Sequence, residues 1–230
     1  MIRITRKSAV LVIAGLVLGS AVFAAGSAES ETAQANPGDT YSATPVPENA
    51  RTAVFAGGCF WCMEEAFEKV PGVIDAVSGY AGGTEVNPSY YEVASGTTGH
   101  TEVVEVIYDP ETVSYEDLLY VFWRNVDLLD SGGQFCDRGS SYRTGIFYGT
   151  EAERLAAEES KRVIEESGRF NQPIATEITA LDVFYVAEGY HQNYYITDSI
   201  RYSFYKSACG RERRLEQLWG DEAGGLPAKQ

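Results

Sequence analysis

The order of apolar segments predicts an α+β fold of the ferredoxin-like, split βαβ type. This fold is a two-layer sandwich, here with an added helix and strand and a loop-rich C-terminal tail. Two observations carry the prediction. Segments with strand-like and helical apolar spacing follow one another as strand, helix, strand, strand, helix, strand. Glycine, proline and capping residues stand at the segment ends. Such a fold hosts many functions and decides none of them.

Each element has its own signal. The strands are short apolar or alternating runs, predicted at residues 52–57, 73–80, 100–108, 143–148 and 176–181. The helices are predicted at residues 59–70, 114–125 and 150–167. Pro71-Gly72 ends the first helix, whereas Ser114 with Asp117 and Thr150 with Glu153 form capping patterns at the starts of the other two.

Composition divides the chain into four parts. Residues 1–28 are basic, then apolar over residues 9–25, and end in small residues, which predicts a cleaved signal peptide or, alternatively, a membrane anchor. Residues 29–50 are expected to be a disordered linker, residues 51–220 one catalytic domain and residues 221–230 a flexible tail. We therefore expect an exported protein, periplasmic or extracellular.

The net charge constrains the partners. The formal charge of the chain is −15. A strongly acidic surface repels phosphate backbones, so nucleic acid is not expected as a partner. A monomer is the default expectation.

A cysteine motif stands where the first strand turns into the first helix. In Gly57-Gly58-Cys59-Phe60-Trp61-Cys62, the glycines permit a tight turn that places Cys59 in the first helical turn. Unpaired backbone N–H groups favour a thiolate there, which predicts a nucleophile. The alternative is a buried, inert thiol.

The motif belongs to a longer series. The series consists of Gly58-Cys59-Phe60-Trp61, Gly79-Tyr80-Ala81-Gly82-Gly83, Asn87-Pro88-Ser89-Tyr90, Gly99-His100-Thr101-Glu102, Tyr108-Asp109-Pro110 and Asp137 with Tyr142-Arg143. In order and approximate spacing, over nearly all of residues 51–210, it closely resembles the A-type peptide methionine sulfoxide reductases.

The resemblance implies an activity and a set of residue roles. The activity is reduction of methionine S-sulfoxide, protein-bound or free, as repair of oxidative damage. Cys59 is implied to attack the sulfoxide sulfur, and Glu102 to protonate the departing oxygen. Tyr90 and Tyr142 are implied to hydrogen-bond that oxygen, Asp137 to support the site, and Phe60 and Trp61 to bind the methyl group.

A second thiol must condense with the resulting Cys59 sulfenic acid. Cys209 resembles a resolving cysteine of the family by its place near the C-terminus, and we favour it. Cys62 is close in sequence, but a disulfide within one helical turn is expected to be strained. Cys136 adjoins Asp137 and is the third candidate. An external thiol reductant, a thioredoxin-like protein or dithiothreitol, then reopens the disulfide, and no bound cofactor or metal is expected.

Three alternatives remain at this point. Cys59 and Cys62 form a C-x-x-C motif, which fits a thioredoxin-like dithiol oxidoreductase that needs neither Glu102 nor the tyrosines. The four cysteines also fit a zinc module, although only one pair is closely spaced. A cysteine hydrolase using His100 or His191 fits less well, because neither histidine lies in a recognisable partner pattern.

Overall fold

A computed structural model describes the backbone of residues 34–35 and the whole of residues 45–226. The predicted signal peptide or anchor at residues 1–28 lies outside the described residues, as do most of the predicted linker and the last four residues of the tail. In the part of the chain that is described, no helix is both long enough and apolar enough to cross a membrane.

The described strands number nine and form two sheets. They are β1 (Gln34–Ala35), β2 (Arg51–Gly57), β3 (Val73–Ala81), β4 (Thr101–Tyr108), β5 (Gly133–Gln134), β6 (Asp137–Arg138), β7 (Thr144–Tyr148), β8 (Glu177–Ala180) and β9 (Tyr185–Val186). Seven of them form one mixed sheet in the order β1-β9-β3-β4-β2-β7-β8, and β5 pairs with β6. Strands β3, β4, β2 and β7 are antiparallel neighbours, whereas β8 runs parallel to β7 and β1 parallel to β9.

Helices fill the connections between the strands. They are α1 (Phe60–Glu68), α2 (Tyr90–Ala94), α3 (Tyr115–Arg124), α4 (Glu151–Glu166), α5 (Tyr194–Thr197), α6 (Ser199–Cys209) and α7 (Arg211–Trp219). Short 3₁₀ helices occur at Ser140–Tyr142, Gly189–His191 and Gly220–Glu222. The five predicted strands and three predicted helices are confirmed to within two residues at each end, so the expectation of a mixed α and β domain holds.

The capping hydrogen bonds predicted at the starts of α3 and α4 are present. The Ser114 side chain accepts the Asp117 N–H at 3.1 Å, and the Asp117 carboxylate accepts the Ser114 N–H at 3.1 Å. Thr150 and Glu153 make the same reciprocal pair at the start of α4. These bonds satisfy backbone N–H groups that a helix start leaves without partners.

Strand alternation places apolar residues on both faces of the sheet. On one face Phe55 of β2 stacks against Phe67 of α1 and Phe122 of α3, with ring centroids 5.0 Å and 5.3 Å apart. Neighbouring residues such as Val54 point to the other face and pack there with Phe147 and Phe184. Helices α1 and α3 are therefore fixed on one face, which sets the position of the β2–α1 turn.

The expectation of a loop-rich C-terminal tail was wrong, because α5, α6 and α7 occupy this region. Tertiary contacts stabilise α6, whose sequence is rich in serine and aromatic residues of modest helix propensity. Asp198 caps its start by accepting the Arg201 N–H, and Tyr202 is buried against the cysteines near α1. Further on, Glu222, in the segment predicted as a flexible tail, pairs with Arg124 and Arg169 at 2.7 Å each.

Candidate active site

The turn from β2 to α1 positions the cysteine motif. Gly58 has φ +78°, and a Cβ at this position would lie 2.5 Å from the Cβ of Gln134. Cys59 is therefore held at the N-cap, with φ −51° and ψ 117°, outside the helix proper. The Cys62 N–H donates to the Cys59 carbonyl oxygen at 3.1 Å. Cys59 therefore lies one residue before the first helical turn in which it was expected. Because Cys59 is outside the helix, a Cys59–Cys62 disulfide would not lie wholly within a helical turn, which was the reason for expecting strain.

A small pocket of about 60 Å³ opens beside Cys59. Its wall contains every residue to which the resemblance gave a catalytic or substrate-binding role apart from Cys209, together with one more tyrosine. The lining residues are Cys59, Phe60, Trp61, Tyr90, Glu102, Asp137, Tyr142 and Tyr205. These side chains come from five separate parts of the chain, and the fold brings them together.

Glu102 lies near the start of β4, and only 2% of it is exposed. Its carboxyl accepts the N–H of Phe60 at 2.9 Å, which holds it at the beginning of α1. Burial raises the pKa of Glu102 well above its ordinary value, against the effect of that N–H, and the charges of Asp137 and Cys62 raise it further. Burial therefore favours the protonated form of Glu102, which is the form that can donate a proton.

Two tyrosines in the pocket offer their hydroxyls. Burial raises the pKa of Tyr90 to about 12 and raises that of Tyr142 as well, so both are protonated donors at neutral pH. Neither hydroxyl is hydrogen-bonded to another group within residues 45–226, which leaves both for a ligand. In contrast, the Tyr205 hydroxyl of α6 donates to the Asp137 carboxylate, and Tyr205 also lowers the pKa of the Cys59 thiol. Asp137 thus supports the site through Tyr205.

The aromatic pair after Cys59 is fixed by neighbouring rings. Trp61 stacks on Tyr194 with 4.0 Å between ring centroids, and its Nε1 donates to His191 Nδ1 at 3.2 Å. Phe60, which is 1% exposed, lies 4.9 Å from the His191 ring centroid. Both Phe60 and Trp61 line the pocket, so neither is only a core residue.

The two thiols of the motif are buried and act on each other. Burial raises the pKa of Cys59 well above its ordinary value, and the hydrogen bond and charge of Cys62 act in the same direction. The hydrogen bond from Cys59 lowers the pKa of Cys62 to about 6, and the cations of Arg211 and Lys206 also lower it. The helix start alone led us to expect a lowered pKa at Cys59, whereas burial raises the pKa of Cys59 and the lowered pKa is that of Cys62.

The other two cysteines form a disulfide, Cys136–Cys209. In this state Cys209 is bonded to Cys136 and has no thiol to offer Cys59, so its role as resolving cysteine stays a prediction. The disulfide flanks Asp137 and ties the end of α6 to the β5–β6 hairpin. The four-cysteine zinc site is not formed, because two of its ligands are bonded to each other. Cys136, Asp137 and Cys209 do place ligand atoms within 4.8 Å of one another.

The histidines have structural partners. His100 Nδ1 accepts the Gly83 N–H at 3.3 Å, and its Nε2 lies 2.8 Å from the Glu85 carbonyl oxygen. Burial lowers the pKa of His191 to about 4, which keeps the ring neutral beside Trp61. These contacts give neither histidine the position of a base for Cys59 in a hydrolase.

Three site residues carried no signal in the sequence. Tyr205 is one of 15 tyrosines, and nothing near it marks a site. Arg211 is 4% exposed and donates to the Gly57 carbonyl oxygen at 2.9 Å, which sets its cation beside Cys62. Tyr202 hydrogen-bonds Cys62 and Glu65. All three lie in the region that was expected to be a loop.

Comparison with known proteins agrees with this geometry. The family model described as peptide methionine sulfoxide reductase matches residues 51–223. The chain belongs to this family. The chain is also similar to the peptide methionine sulfoxide reductases MsrA of Bacillus licheniformis and Listeria innocua. It is 51% and 49% identical to them over 76% and 75% of its length, and each alignment spans 97% of the relative.

Solved structures of family members share the fold. Reduced Mxr1 from Saccharomyces cerevisiae superposes with a TM-score of 0.62 and 30% identity, over 66% of this chain and 88% of that one. Methionine sulfoxide reductase A of Corynebacterium diphtheriae gives a TM-score of 0.59 and 31% identity, over 66% and 77%. The mixed sheet and its helices are therefore those of the peptide methionine sulfoxide reductase family.

Proposed function

We propose that this protein is a thiol-dependent peptide-methionine (S)-S-oxide reductase that acts on protein-bound and free methionine sulfoxide. One observation carries the proposal: a thiol, a buried carboxyl group of raised pKa and two tyrosine hydroxyls face a single small pocket. A sulfoxide oxygen leaves only when it is protonated, and this pocket supplies both the proton and the nucleophile. Family membership supports the same reaction.

The first chemical step uses five groups of the chain. The sulfur of Cys59 attacks the sulfoxide sulfur as its proton passes to the Cys62 thiolate. Glu102 donates its proton to the oxygen, to which Tyr90 and Tyr142 hydrogen-bond. The resulting hydroxyl forms a bond to the Cys59 sulfur as its bond to the substrate sulfur and the transient bond between the two sulfurs break. The sulfoxide is reduced to the thioether by two electrons, and Cys59 is oxidised to the sulfenic acid, which carries the oxygen. The proton count balances, with Cys62 as thiol and Glu102 as carboxylate at the end.

The second step regenerates the enzyme. We propose Cys62 as the resolving residue in this state, because it lies in the same buried cluster as Cys59 whereas Cys209 is bonded to Cys136. The Cys62 thiol condenses with the sulfenic acid, forming a disulfide and releasing water. An external dithiol, which a thioredoxin-like protein or dithiothreitol supplies, then reduces the disulfide by two electrons through exchange.

The decisive experiment separates function from the choice of resolving residue. The full chain receives dithiothreitol and each methionine sulfoxide epimer, and methionine release is followed by chromatography. We expect turnover of the S epimer alone and none in Cys59→Ser. No turnover of either epimer by wild-type protein with reduced Cys59 would exclude the reductase.

A single turnover without reductant then identifies the resolving cysteine. The Cys62→Ser variant is expected to accumulate a sulfenic acid that dimedone labels at Cys59, whereas Cys209→Ser is expected to form the Cys59–Cys62 disulfide. If instead dimedone labels Cys59 in Cys209→Ser and Cys62→Ser forms a disulfide at Cys59, Cys209 is the resolving residue.

A dithiol oxidoreductase is the second candidate. The low pKa of Cys62 beside an N-cap cysteine supports it, since such pairs exchange disulfides readily. It predicts reduction of a protein disulfide by wild type and equally by Glu102→Gln. Loss of sulfoxide reduction in Glu102→Gln with no disulfide reductase activity in either protein would decide against it.

Two further proposals concern the whole chain. Strand order β3-β4-β2-β7, with α1 and α3 as the connecting helices, supports the split βαβ plan for the central part of the domain. We also propose export of the protein by residues 1–28, which the basic start and the apolar run support.

A further inference from the structure

A second cavity adjoins the active-site pocket. Its volume is about 370 Å³, and it shares Trp61, Tyr90 and Tyr205 with the pocket. Tyr190, His191, Tyr194 and Arg201 complete its wall, and we name this cavity the aromatic groove. The chemistry proposed above uses the pocket alone, so the groove has no assigned role.

The two cavities differ in the size of ligand they admit. The pocket, at about 60 Å³, has room for the sulfoxide end of one side chain and no more. The groove falls within the range of about 300–1,000 Å³ typical of ligand sites. A methionine in a polypeptide carries chain on both sides of it. Because the cavities share three walls, chain leaving the pocket passes directly into the groove.

Aromatic rings form most of the groove wall as one contiguous surface. Tyr194 stacks on Trp61 at 4.0 Å, and the rings of Tyr90 and Tyr190 lie 4.3 Å and 4.2 Å from that of His191. Ring faces held in fixed positions bind apolar side chains at little cost in conformational entropy. This wall therefore favours an apolar residue next to the oxidised methionine.

One cation stands at the groove. Arg201 is exposed, and its guanidinium makes no ion pair with any acid in residues 45–226. The nearby Asp198 carboxylate instead accepts the Arg201 backbone N–H at 3.4 Å and the Tyr194 hydroxyl at 3.2 Å. In a chain of net charge −15, an unpaired cation at a binding groove selects an acidic group on the ligand.

Helix α6, which contributes two residues to the groove wall, also carries an exposed apolar face. Ile200 and Phe204 are 77% and 78% exposed, and their spacing of four residues places them on the same side of the helix. They adjoin Arg201 and Tyr205 in sequence, and these two line the groove. The two apolar side chains therefore lie on the helix that contributes Arg201 and Tyr205 to the groove wall.

We propose that the aromatic groove binds the residues that flank methionine sulfoxide in an extended segment of oxidised polypeptide. An apolar side chain packs against the rings, and a carboxylate of the segment pairs with Arg201. The proposal rests on the proposed function and narrows its substrate class to protein segments with an apolar and an acidic neighbour, with free methionine sulfoxide as the weaker substrate.

The experiment compares short blocked peptides that contain one methionine S-sulfoxide. One residue next to the methionine sulfoxide is either Phe or Ser, the other is either Glu or Lys, and each pair is made in both orders. The kcat/KM of the full-length protein is measured for each peptide with dithiothreitol as the reductant. We expect the Phe and Glu peptide to be the best substrate, with Glu preferred to Lys by about two- to fivefold, as for an exposed ion pair. This preference falls as ionic strength rises.

Matched variants assign the preference to the groove. Arg201→Gln is expected to bring the Glu to Lys ratio to about one, whereas Arg213→Gln, which removes an exposed arginine of α7, keeps the wild-type ratio. Ile200→Ser together with Phe204→Ser lowers the Phe to Ser ratio. Equal kcat/KM for all peptides in wild type, or an unchanged Glu to Lys ratio in Arg201→Gln, overturns this inference. Free methionine sulfoxide is the separate control: if it too is not reduced, the proposed function fails.

Discussion

Replacement of Glu102 by glutamine tests the acid step most directly. Glu102 is 2% exposed, and the Phe60 N–H holds its carboxyl at 2.9 Å. Glutamine keeps the shape and an acceptor for that N–H but cannot transfer a proton. General acid catalysis contributes about 10²- to 10⁴-fold, so kcat for the S epimer should fall by that factor.

The matched control lies on the same strand. Glu105 is three residues further along β4, so its side chain points to the opposite face of the sheet. Glu105→Gln makes the same chemical change there and should leave kcat within about twofold of wild type, because the side chain does not line the pocket. Both variants should unfold near the wild-type temperature, because each replaces one polar group by another of the same size.

The pH profile gives a second readout. The acid acts in its protonated form, so activity is lost as pH rises through the raised pKa of Glu102. On the other side, activity is lost as pH falls below the pKa of about 6 that Cys62 has beside Cys59. Glu102→Gln should remove the alkaline limb and keep the acidic one. A variant that retains kcat within about threefold of wild type, or that retains the alkaline limb, would refute the assignment of Glu102 as the acid.

Three other predictions follow from the contacts of the site. Gly58→Ala should lower the free energy of unfolding, measured by chemical denaturation, by about 2–5 kcal/mol, because φ is +78° and the new Cβ would lie 2.5 Å from the buried Gln134. The control Gly96→Ala has a similar φ of +70° but open space around it, so it should lower the free energy of unfolding by only about 1–2 kcal/mol. Tyr205→Phe removes a hydroxyl that lowers the pKa of Cys59 and should slow iodoacetamide alkylation of Cys59 about tenfold. The exposed Tyr91→Phe should leave the alkylation rate unchanged, and equal rates in the two variants would contradict the role of the Tyr205 hydroxyl. The double variant Cys136→Ser, Cys209→Ser should have a free energy of unfolding lower by up to about 4 kcal/mol, as expected for a cross-link that spans 73 residues. It should still turn over substrate with dithiothreitol. Loss of turnover would indicate that this cysteine pair takes part in the catalytic cycle.

The sequence determined the central elements of the domain by itself. Helix starts at Ser114 and Thr150 depend on side chains three residues apart, and strand alternation is local, so both can be read without the fold. The cysteine at the strand-to-helix turn was also local information. The roles of Glu102, Tyr90, Tyr142 and Asp137 came from the family resemblance, because nothing local separates Glu102 from Glu105.

Only the tertiary structure decided the state of the thiols and the make-up of the C-terminal region. Which cysteines pair depends on distances between residues far apart in sequence, and Cys136 meets Cys209 across 73 residues. The cation that lowers the pKa of Cys62 comes from Arg211, 149 positions along the chain from that thiol. Helix α6 has modest intrinsic propensity and forms where Asp198 caps it and Tyr202 is buried. Long-range charge, burial and packing are properties of the folded chain, so the active form of this site follows from the fold and not from any one segment.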